Sequence, residues 1–155
     1  QQMDVEREQS YWPSTESGAL AVGGTLYGNP LSLAASRAAL TEILTPEGHA
    51  RTAELGGVLA DGIERIVRDV GLPWSAHRLY CRTGVCYAPE APRNAIEASR
   101  AANFEINRLH RIFLANRGIW EAIVTAGPAV SFAAEREDIE KYLATFEELT
   151  QAIVA

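Results

Sequence analysis

The sequence predicts an α+β fold, in which a small, largely antiparallel sheet packs against helices. Long segments carry apolar residues at helical spacing, short runs are rich in aromatic and branched residues, and turn-forming residues separate them. The predicted strands fall into hairpins and short pairs, which favours an antiparallel sheet. With 155 residues, of which 47% are hydrophobic, the chain is long enough to bury one ordinary core.

Two helices are predicted in the first half of the chain. The first runs from about Pro30 to Leu44, because Asn29 is a strong N-cap and proline fits the first helical position. The same rule starts a second helix after Thr45, and Gly71 ends it. Three glycines inside this second helix weaken it by about 1 kcal/mol each relative to alanine. They indicate contact with a neighbouring element and are Gly56, Gly57 and Gly62.

A β-hairpin is predicted after the second helix. Residues 74–80 and 85–88 are expected to form its strands, joined across residues 82–84. If residues 82–85 form a tight turn, Cys81 and Cys86 face each other closely enough to cross-link. Free thiols are the expected state in a reducing compartment.

The last third of the chain is predicted to contain two helices and two short strands. One helix runs from Asn94 to about Leu114 and ends at Gly118, and strands follow at 119–124 and 129–133. The final helix spans about 135–154. Its apolar stripe consists of Ile139, Tyr142, Leu143, Phe146, Leu149 and Ile153.

Composition and charge argue against several kinds of partner and site. The net charge of −6 argues against nucleic acid or an anionic membrane as a partner. No apolar run approaches the ~20 residues needed to span a bilayer, and no signal peptide is visible. The three histidines and two cysteines have no metal-site spacing. We therefore expect a cytoplasmic protein without a metal centre.

The strongest functional signal is the glycine-rich segment from Gly23 to Pro30, which leads directly into the first helix. Glycines allow a backbone to approach a ligand closely, and Thr25 adds a hydroxyl donor beside Gly24. A loop of this kind ahead of a helix can bind a phosphate. The spacing alone is equally that of an ordinary turn, in which Thr25 only caps its own loop.

The residues of that segment, Gly-Gly-Thr-Leu-Tyr-Gly-Asn-Pro-Leu-Ser-Leu-Ala-Ala, resemble the Gly-Thr-x-x-Gly-Asn-Pro/Ala-Leu signature of class III (fold type I) aminotransferases. These enzymes use pyridoxal 5′-phosphate (PLP), and the glutamate-1-semialdehyde aminomutases and β-amino-acid aminotransferases are the most similar branch. The resemblance continues through Gly71-Leu72-Pro73-Trp74, 116–119 and 137–139. It implies that Thr25 binds the PLP phosphate held by the neighbouring subunit of a homodimer, and Gly24 beside it is the second predicted cofactor-binding residue.

The family also needs a lysine that holds PLP as a Schiff base. The single lysine here, Lys141, lies on the polar face of the last predicted helix, where a pair with Glu137 is expected. In the family the cofactor lysine lies upstream of the Gly-Thr loop. The resemblance therefore implies a C-terminal fragment, inactive alone, of an enzyme that moves an amino group between an amino acid and a keto or aldehyde acceptor.

This interpretation divides the chain into three parts. Residues 1–24 are an irregular lead-in from the large PLP domain, residues 25–70 hold the phosphate-contacting loop and interdomain helices, and residues 71–155 form the C-terminal α+β domain. The predicted partners are the remainder of the enzyme, a second subunit and a small amino acid substrate.

Arg117 is the candidate for binding the substrate. Amino-acid aminotransferases need an arginine that grips the substrate carboxylate with two hydrogen bonds, and this turn lies near the active site in the resembling enzymes. Arg117 also stands at a helix end, where any cation is favoured by the helix dipole. The alternative function for the whole chain is a non-catalytic α+β interaction or dimerisation module.

Overall fold

The protein is described by a computed structural model that covers residues 28–121 and 129–155. The chain divides into two compact units, residues 1–40 and 41–155. Helix α1 (Pro30–Ala38) belongs to the first unit, and a π-helical turn, Ala39–Ile43, crosses the boundary. The elements of the second unit are α2 (Pro46–Asp69), β1 (Ser75–Leu79), β2 (Arg82–Cys86), α3 (Ala95–Ala101), α4 (Phe104–Ala115) and α5 (Arg136–Val154).

Side-chain caps start the first two helices, as the sequence predicts. The Asn29 side chain accepts a hydrogen bond from the Ser32 amide at 2.9 Å, and the Thr45 hydroxyl accepts one from the Gly48 amide at 3.1 Å. A proline follows each cap at the first helical position. The first helix is α-helical only to Ala38, because its last predicted residues form the π-helical turn.

The core of the second unit lies between α2, α5 and the hairpin, and its architecture confirms the predicted α+β class. Helices α2 and α5 turn their apolar stripes towards each other. Gly62 of α2 lies against the Leu143 side chain of α5, and Gly56 lies against the Tyr80 carbonyl. Two of the three glycines thus mark close approaches, whereas a Cβ at Gly57 would meet no described atom within 4 Å outside its own helix turn. The fully buried large side chains include Phe146, Leu59, Ile63, Ile66, Leu114 and Leu149.

The hairpin is antiparallel, but the predicted position of its turn is wrong. Leu79 pairs with Arg82, so the turn is Tyr80–Cys81, and the expected turn residues 82–84 lie inside β2. Tyr80 has a φ of 52°, and Gly56 leaves the space that its carbonyl occupies. Cys81 therefore lies in the turn, while Cys86 pairs with Ser75 at the other end of the hairpin. Both thiols are free, as expected.

The helix predicted from Asn94 to Leu114 is interrupted, and the single-helix prediction is wrong. Ala102 has an extended backbone, and Asn103 begins α4 by accepting a hydrogen bond from the Ile106 amide at 3.1 Å. A second capping residue inside the apolar pattern thus restarts the helix. Gly118 ends this region as predicted, with a φ of 76°, and the Ile119 amide donates to the Leu114 carbonyl at 3.0 Å.

The two short strands predicted after Gly118 are not found among the described residues. Residues 119–121 form no strand, residues 122–128 lie outside the described residues, and Ala129 makes only an isolated bridge to Arg82. The guanidinium of Arg51 on α2 instead donates to the Phe132 and Ala134 carbonyls. These side-chain hydrogen bonds, together with the Val130 amide that donates to the Cys81 carbonyl at 2.9 Å, hold this segment where a strand was expected. None of the described helices is long and apolar enough to cross a membrane.

Candidate functional site

The predicted phosphate-binding pair, Gly24 and Thr25, lies outside the residues that the structure describes. Their role stays a prediction. Helix α1 begins at Pro30, five residues after Thr25, as the sequence predicts. The positive end of the helix dipole therefore follows the loop.

Arg117 follows the last turn of α4 and is partly exposed. Its Nε donates to the Glu148 carboxylate of α5 at 2.8 Å, and its guanidinium carbon lies 3.5 Å from the centre of the Phe113 ring. The side chain therefore already has a carboxylate partner and an aromatic surface to stack on. The structure places Arg117 apart from the cavity described below. Its role towards a substrate stays a prediction.

Lys141 is exposed on α5, as predicted. Its Nζ lies 3.5 Å from the Gly118 carbonyl oxygen, and no ion pair to Glu137 is formed within the described part of the chain. The amine is thus close to the carbonyls that end α4.

A chain of four polar side chains crosses the core of the second unit. The Tyr87 hydroxyl lies 3.0 Å from His110 Nδ1, and the Tyr142 hydroxyl lies 3.2 Å from His110 Nε2. Tyr142 also donates to Glu121 Oε1 at 3.1 Å. His110 is 3% exposed and Tyr142 5%, so the centre of this chain is removed from water. We call these four residues the Tyr–His–Tyr–Glu chain.

The fold supplies each member of the chain from a different place. Tyr87 directly follows β2, His110 lies on the core face of α4, and Tyr142 lies on the apolar stripe of α5. Glu121 stands three residues beyond Gly118, where the backbone leaves α4, and the Arg111 guanidinium donates to its carbonyl at 3.2 Å. The hydrogen bonds therefore tie the hairpin, α4, α5 and the segment after α4 to one another.

Burial dominates the electrostatics of the chain. It lowers the pKa of His110 to about 4, so this imidazole is neutral near pH 7. Burial raises the pKa of Glu121, although the Tyr142 hydroxyl and the charge of Arg111 oppose the increase. Burial also raises the pKa of both tyrosines, and the Glu121 charge adds to the effect. Neutral histidine and neutral tyrosines are the stable forms in this environment.

A cavity of about 790 Å³ opens beside the chain, between the hairpin, α3 and α4. Tyr87, His110 and Glu121 all contribute to its wall. The Asp61 and Glu64 carboxylates of α2 hold Arg78 by ion pairs of 2.7 and 2.8 Å. The cavity also has polar lining residues on both strands of the hairpin, which are His77, Arg78 and Arg82.

The sequence predicted no metal-site role for His110, placed Tyr142 only on the apolar stripe of the last helix, and gave no role to Tyr87 or Glu121. The available signals were a histidine on the apolar face of one helix and a tyrosine on that of another. Both residues have a polar group that needs a partner when it is buried. Among residues 28–121 and 129–155, no three histidine, cysteine, aspartate or glutamate side chains are grouped to hold a metal ion.

Comparison with known proteins places these features in a family context. No family model matches the chain. The glutamate-1-semialdehyde 2,1-aminomutase of Thermus thermophilus is 32% identical over 139 residues, which are 88% of this chain and 32% of that protein. Glutamate-1-semialdehyde 2,1-aminomutase 2 of Staphylococcus haemolyticus is 29% identical over 139 residues, which are again 88% of this chain and 32% of that protein. The chain thus spans about a third of the length of the curated relatives it matches.

Solved structures give the same result. A glutamate-1-semialdehyde aminomutase from Pseudomonas aeruginosa, in complex with PMP, matches 97% of this chain with a TM-score of 0.80 and 28% identity; the match covers 34% of that protein. A transaminase with PLP bound matches 92% of this chain and 32% of its own, with a TM-score of 0.68 and 25% identity.

A β-phenylalanine aminotransferase from Variovorax paradoxus shares the fold, with a TM-score of 0.76 over 90% of this chain and 32% of that protein, at 22% identity. These findings confirm the predicted resemblance. The homologues of this chain are glutamate-1-semialdehyde aminomutases, and its structural neighbours are class III PLP-dependent transaminases, each matched over about a third of its length.

Proposed function

We propose that this chain is the C-terminal part of a PLP-dependent aminotransferase or aminomutase that moves an amino group between an amino acid and a keto or aldehyde acceptor. The observation that carries the proposal is the match of 97% of the chain, at a TM-score of 0.80, to an aminomutase bound to PMP. When bound, PLP supplies an electron sink for this chemistry. The contribution of this chain is to bind the phosphate and the substrate.

Thr25 and Gly24 supply donors that suit a phosphate dianion, namely a hydroxyl and a backbone amide that no side chain shields. The helix that follows, α1, is capped by Asn29 and begins with Pro30, so the loop ends at a defined point. Its positive dipole end favours an anion near the loop. In the proposed dimer this phosphate belongs to the cofactor of the other subunit.

The covalent link to the cofactor comes from outside this chain in our proposal. Lys141 is solvent-exposed and its amine lies near the Gly118 carbonyl, whereas a cofactor lysine must stand in the active site. The 155-residue chain alone is therefore inactive. The complete enzyme acts in the cytoplasm as a homodimer.

Arg117 is the proposed ligand of the substrate carboxylate. Glu148 accepts from its Nε and the Phe113 carbonyl accepts from one terminal nitrogen at 3.5 Å, which leaves the other terminal nitrogen and the remaining N–H of the first to donate to a carboxylate. The stacking on Phe113 fixes the plane of the guanidinium.

The alternative is a non-catalytic α+β module that uses the fold for interaction or dimerisation. The exposed position of the single lysine favours this alternative, because a module without cofactor needs no lysine in a site.

Titration of the intact protein with PLP tests the proposal and separates the two functions. We expect Thr25→Val to weaken PLP binding by about tenfold to a hundredfold, because a charge-assisted hydrogen bond is lost. Thr25→Ser keeps the hydroxyl and should bind PLP like the wild type. Equal binding by all three proteins would show that Thr25 is only a turn residue. Failure of the wild type to bind PLP would favour the non-catalytic module.

A further inference from the structure

In the Tyr–His–Tyr–Glu chain, the number of protons on each group decides which group donates and which accepts in every hydrogen bond. An ionised Glu121 can only accept a hydrogen bond, so Tyr142 donates its single hydroxyl proton to Oε1. Neutral His110 must then donate from Nε2 to the Tyr142 oxygen, and its bare Nδ1 must accept from Tyr87. Every hydrogen bond is made, and the oxygen of Tyr87 is left with lone pairs only.

The same geometry also satisfies every bond in the opposite direction. A protonated Glu121 donates to the Tyr142 oxygen, and Tyr142 donates to His110 Nε2. His110 then carries its proton on Nδ1 and donates it to the Tyr87 oxygen, which frees the Tyr87 hydroxyl proton for another acceptor. The protonation state of Glu121 thus sets whether Tyr87 can donate to a further group.

Both ends of the chain reach the same cavity, since Tyr87 and Glu121 contribute to its wall. We propose that the four side chains form a proton relay, in which Tyr87 exchanges a proton with a small hydroxyl- or ammonium-bearing molecule bound in the cavity and Glu121 is the terminal base. This site involves neither Thr25 nor Arg117, so the inference does not depend on the proposed function.

The relay step balances without any further reactant. The ligand's O–H or N–H bond breaks and its proton bonds to the Tyr87 oxygen, while the Tyr87 proton moves to His110 Nδ1. The Nε2 proton of His110 moves to Tyr142, and the Tyr142 proton moves to Glu121 Oε1. One proton is transferred in total, the ligand keeps the electron pair, and neither His110 nor either tyrosine ends with a charge.

Charged side chains on the elements that pack against the relay set its electrostatic environment. Arg111 on α4 is the cation that acts on Glu121, and Arg78 on β1 is held by Asp61 and Glu64. Arg82 on β2 makes no ion pair within the described residues, and it stands on the cavity wall together with His77. Of the lining residues that the structure describes, Glu121 alone carries a carboxylate, so no other described carboxylate of the wall competes for its proton.

The ring nitrogens of His110 report the direction of the relay. In the intact protein, labelled with ¹⁵N-histidine, we expect the Nε2–H form at the high-pH end of a titration that stays above the His110 pKa of about 4. As Glu121 takes up a proton, the signals should change to those of the Nδ1–H form. His110→Gln assigns the signals, because it removes them from the spectrum.

Two variants make the test specific. Tyr142→Phe keeps the ring but cuts the link to Glu121, so the pH-dependent change of tautomer should be lost. Tyr80→Phe, at the exposed hairpin turn, is the matched control and should keep it. A wild-type His110 that keeps one tautomer throughout, or a Tyr142→Phe variant that still changes tautomer, would overturn the relay.

Ethanolamine is the probe for the cavity, because it presents both a hydroxyl and an ammonium group. By donating to the Tyr87 oxygen it should stabilise the ionised state of Glu121 and move the midpoint of the tautomer change to lower pH. Tyr87→Phe, which removes only a half-buried hydroxyl, should abolish that shift. An unchanged midpoint in the wild type, or an equal shift in Tyr87→Phe, would overturn the assignment of Tyr87 as the ligand-facing end.

Discussion

His110 Nε2 lies 3.2 Å from the Tyr142 hydroxyl, and this contact joins α4 to α5 inside the core. The Phe146 ring lies 5.3 Å from the imidazole, so the polar contact is enclosed by aromatic surface. A hydrogen bond in such surroundings is costly to break, because water cannot replace the missing partner.

We expect His110→Phe to destabilise the protein by about 1–3 kcal/mol, because it leaves the buried Tyr142 hydroxyl and the half-buried Tyr87 hydroxyl without their shared partner. Denaturant unfolding measures the change. Tyr80→Phe, at an exposed hydroxyl, should stay within about 0.5 kcal/mol of the wild type. Equal stabilities of the His110→Phe variant and the wild type would show that the imidazole only fills space.

The free energy of unfolding should decrease at acidic pH because of His110. Its pKa is about 4 in the folded protein against 6.5 in the unfolded chain, so only the unfolded chain binds this proton between those values. The loss as pH falls through that window amounts to about 3 kcal/mol. Glu121 acts in the opposite sense, since its folded pKa is raised and stability from this group decreases as pH rises.

Glu121→Gln separates the two effects, because the amide oxygen still accepts from Tyr142 but no longer titrates. We expect its stability to fall more steeply towards acid than that of the wild type. Urea unfolding at a series of pH values measures both slopes. A slope that is unchanged in Glu121→Gln would contradict the raised pKa of Glu121.

Two adjacent glycines of α2 should respond oppositely to alanine. A methyl group at Gly56 meets the Tyr80 carbonyl, so Gly56→Ala should destabilise by about 1–3 kcal/mol. A methyl group at Gly57 meets no described atom within 4 Å, so Gly57→Ala should stabilise by about 0.5–1 kcal/mol through helix propensity. Thermal melts of both variants give the comparison. A stabilising Gly56→Ala would refute the close approach of the hairpin turn to α2.

Arg117 and Glu148 provide a matched pair for the substrate proposal. The exposed ion pair itself is worth about 0–1 kcal/mol, so neither Arg117→Lys nor Glu148→Gln should unfold the protein. In the intact enzyme, Arg117→Lys should raise the KM for the amino acid at least about tenfold, because two-point binding is lost. Glu148→Gln should change KM much less. Equal effects of the two variants would mean that Arg117 serves only the ion pair.

The parts of the fold that local chemistry decides were predictable from the sequence. The caps at Asn29 and Thr45 place the starts of α1 and α2 at their observed residues, and the apolar stripe of α5 places that helix within one residue of its observed start. The hairpin turn was misplaced because Gly84, a typical turn residue, lies within β2. In the observed turn, the Tyr80 carbonyl lies against Gly56 of α2, a tertiary contact that no local pattern reveals.

The candidate site was less predictable, for a similar reason. A lone histidine and two tyrosines at apolar positions are ordinary core residues in a sequence. Only the fold shows that His110 bonds to both Tyr87 and Tyr142 and that Glu121 stands at the end of the chain. For the loop that contains Thr25, the sequence is more informative than the structure. The family resemblance assigns Thr25 to phosphate binding, whereas the described residues begin at residue 28.

The location of the cofactor lysine tests the central claim most directly. The intact protein is loaded with PLP, reduced with borohydride to fix the cofactor to its lysine, digested and mapped by mass spectrometry. We predict one labelled lysine, lying outside these 155 residues, and an unlabelled Lys141. Label on Lys141 at full stoichiometry, or no labelled lysine anywhere in the protein, would contradict the account.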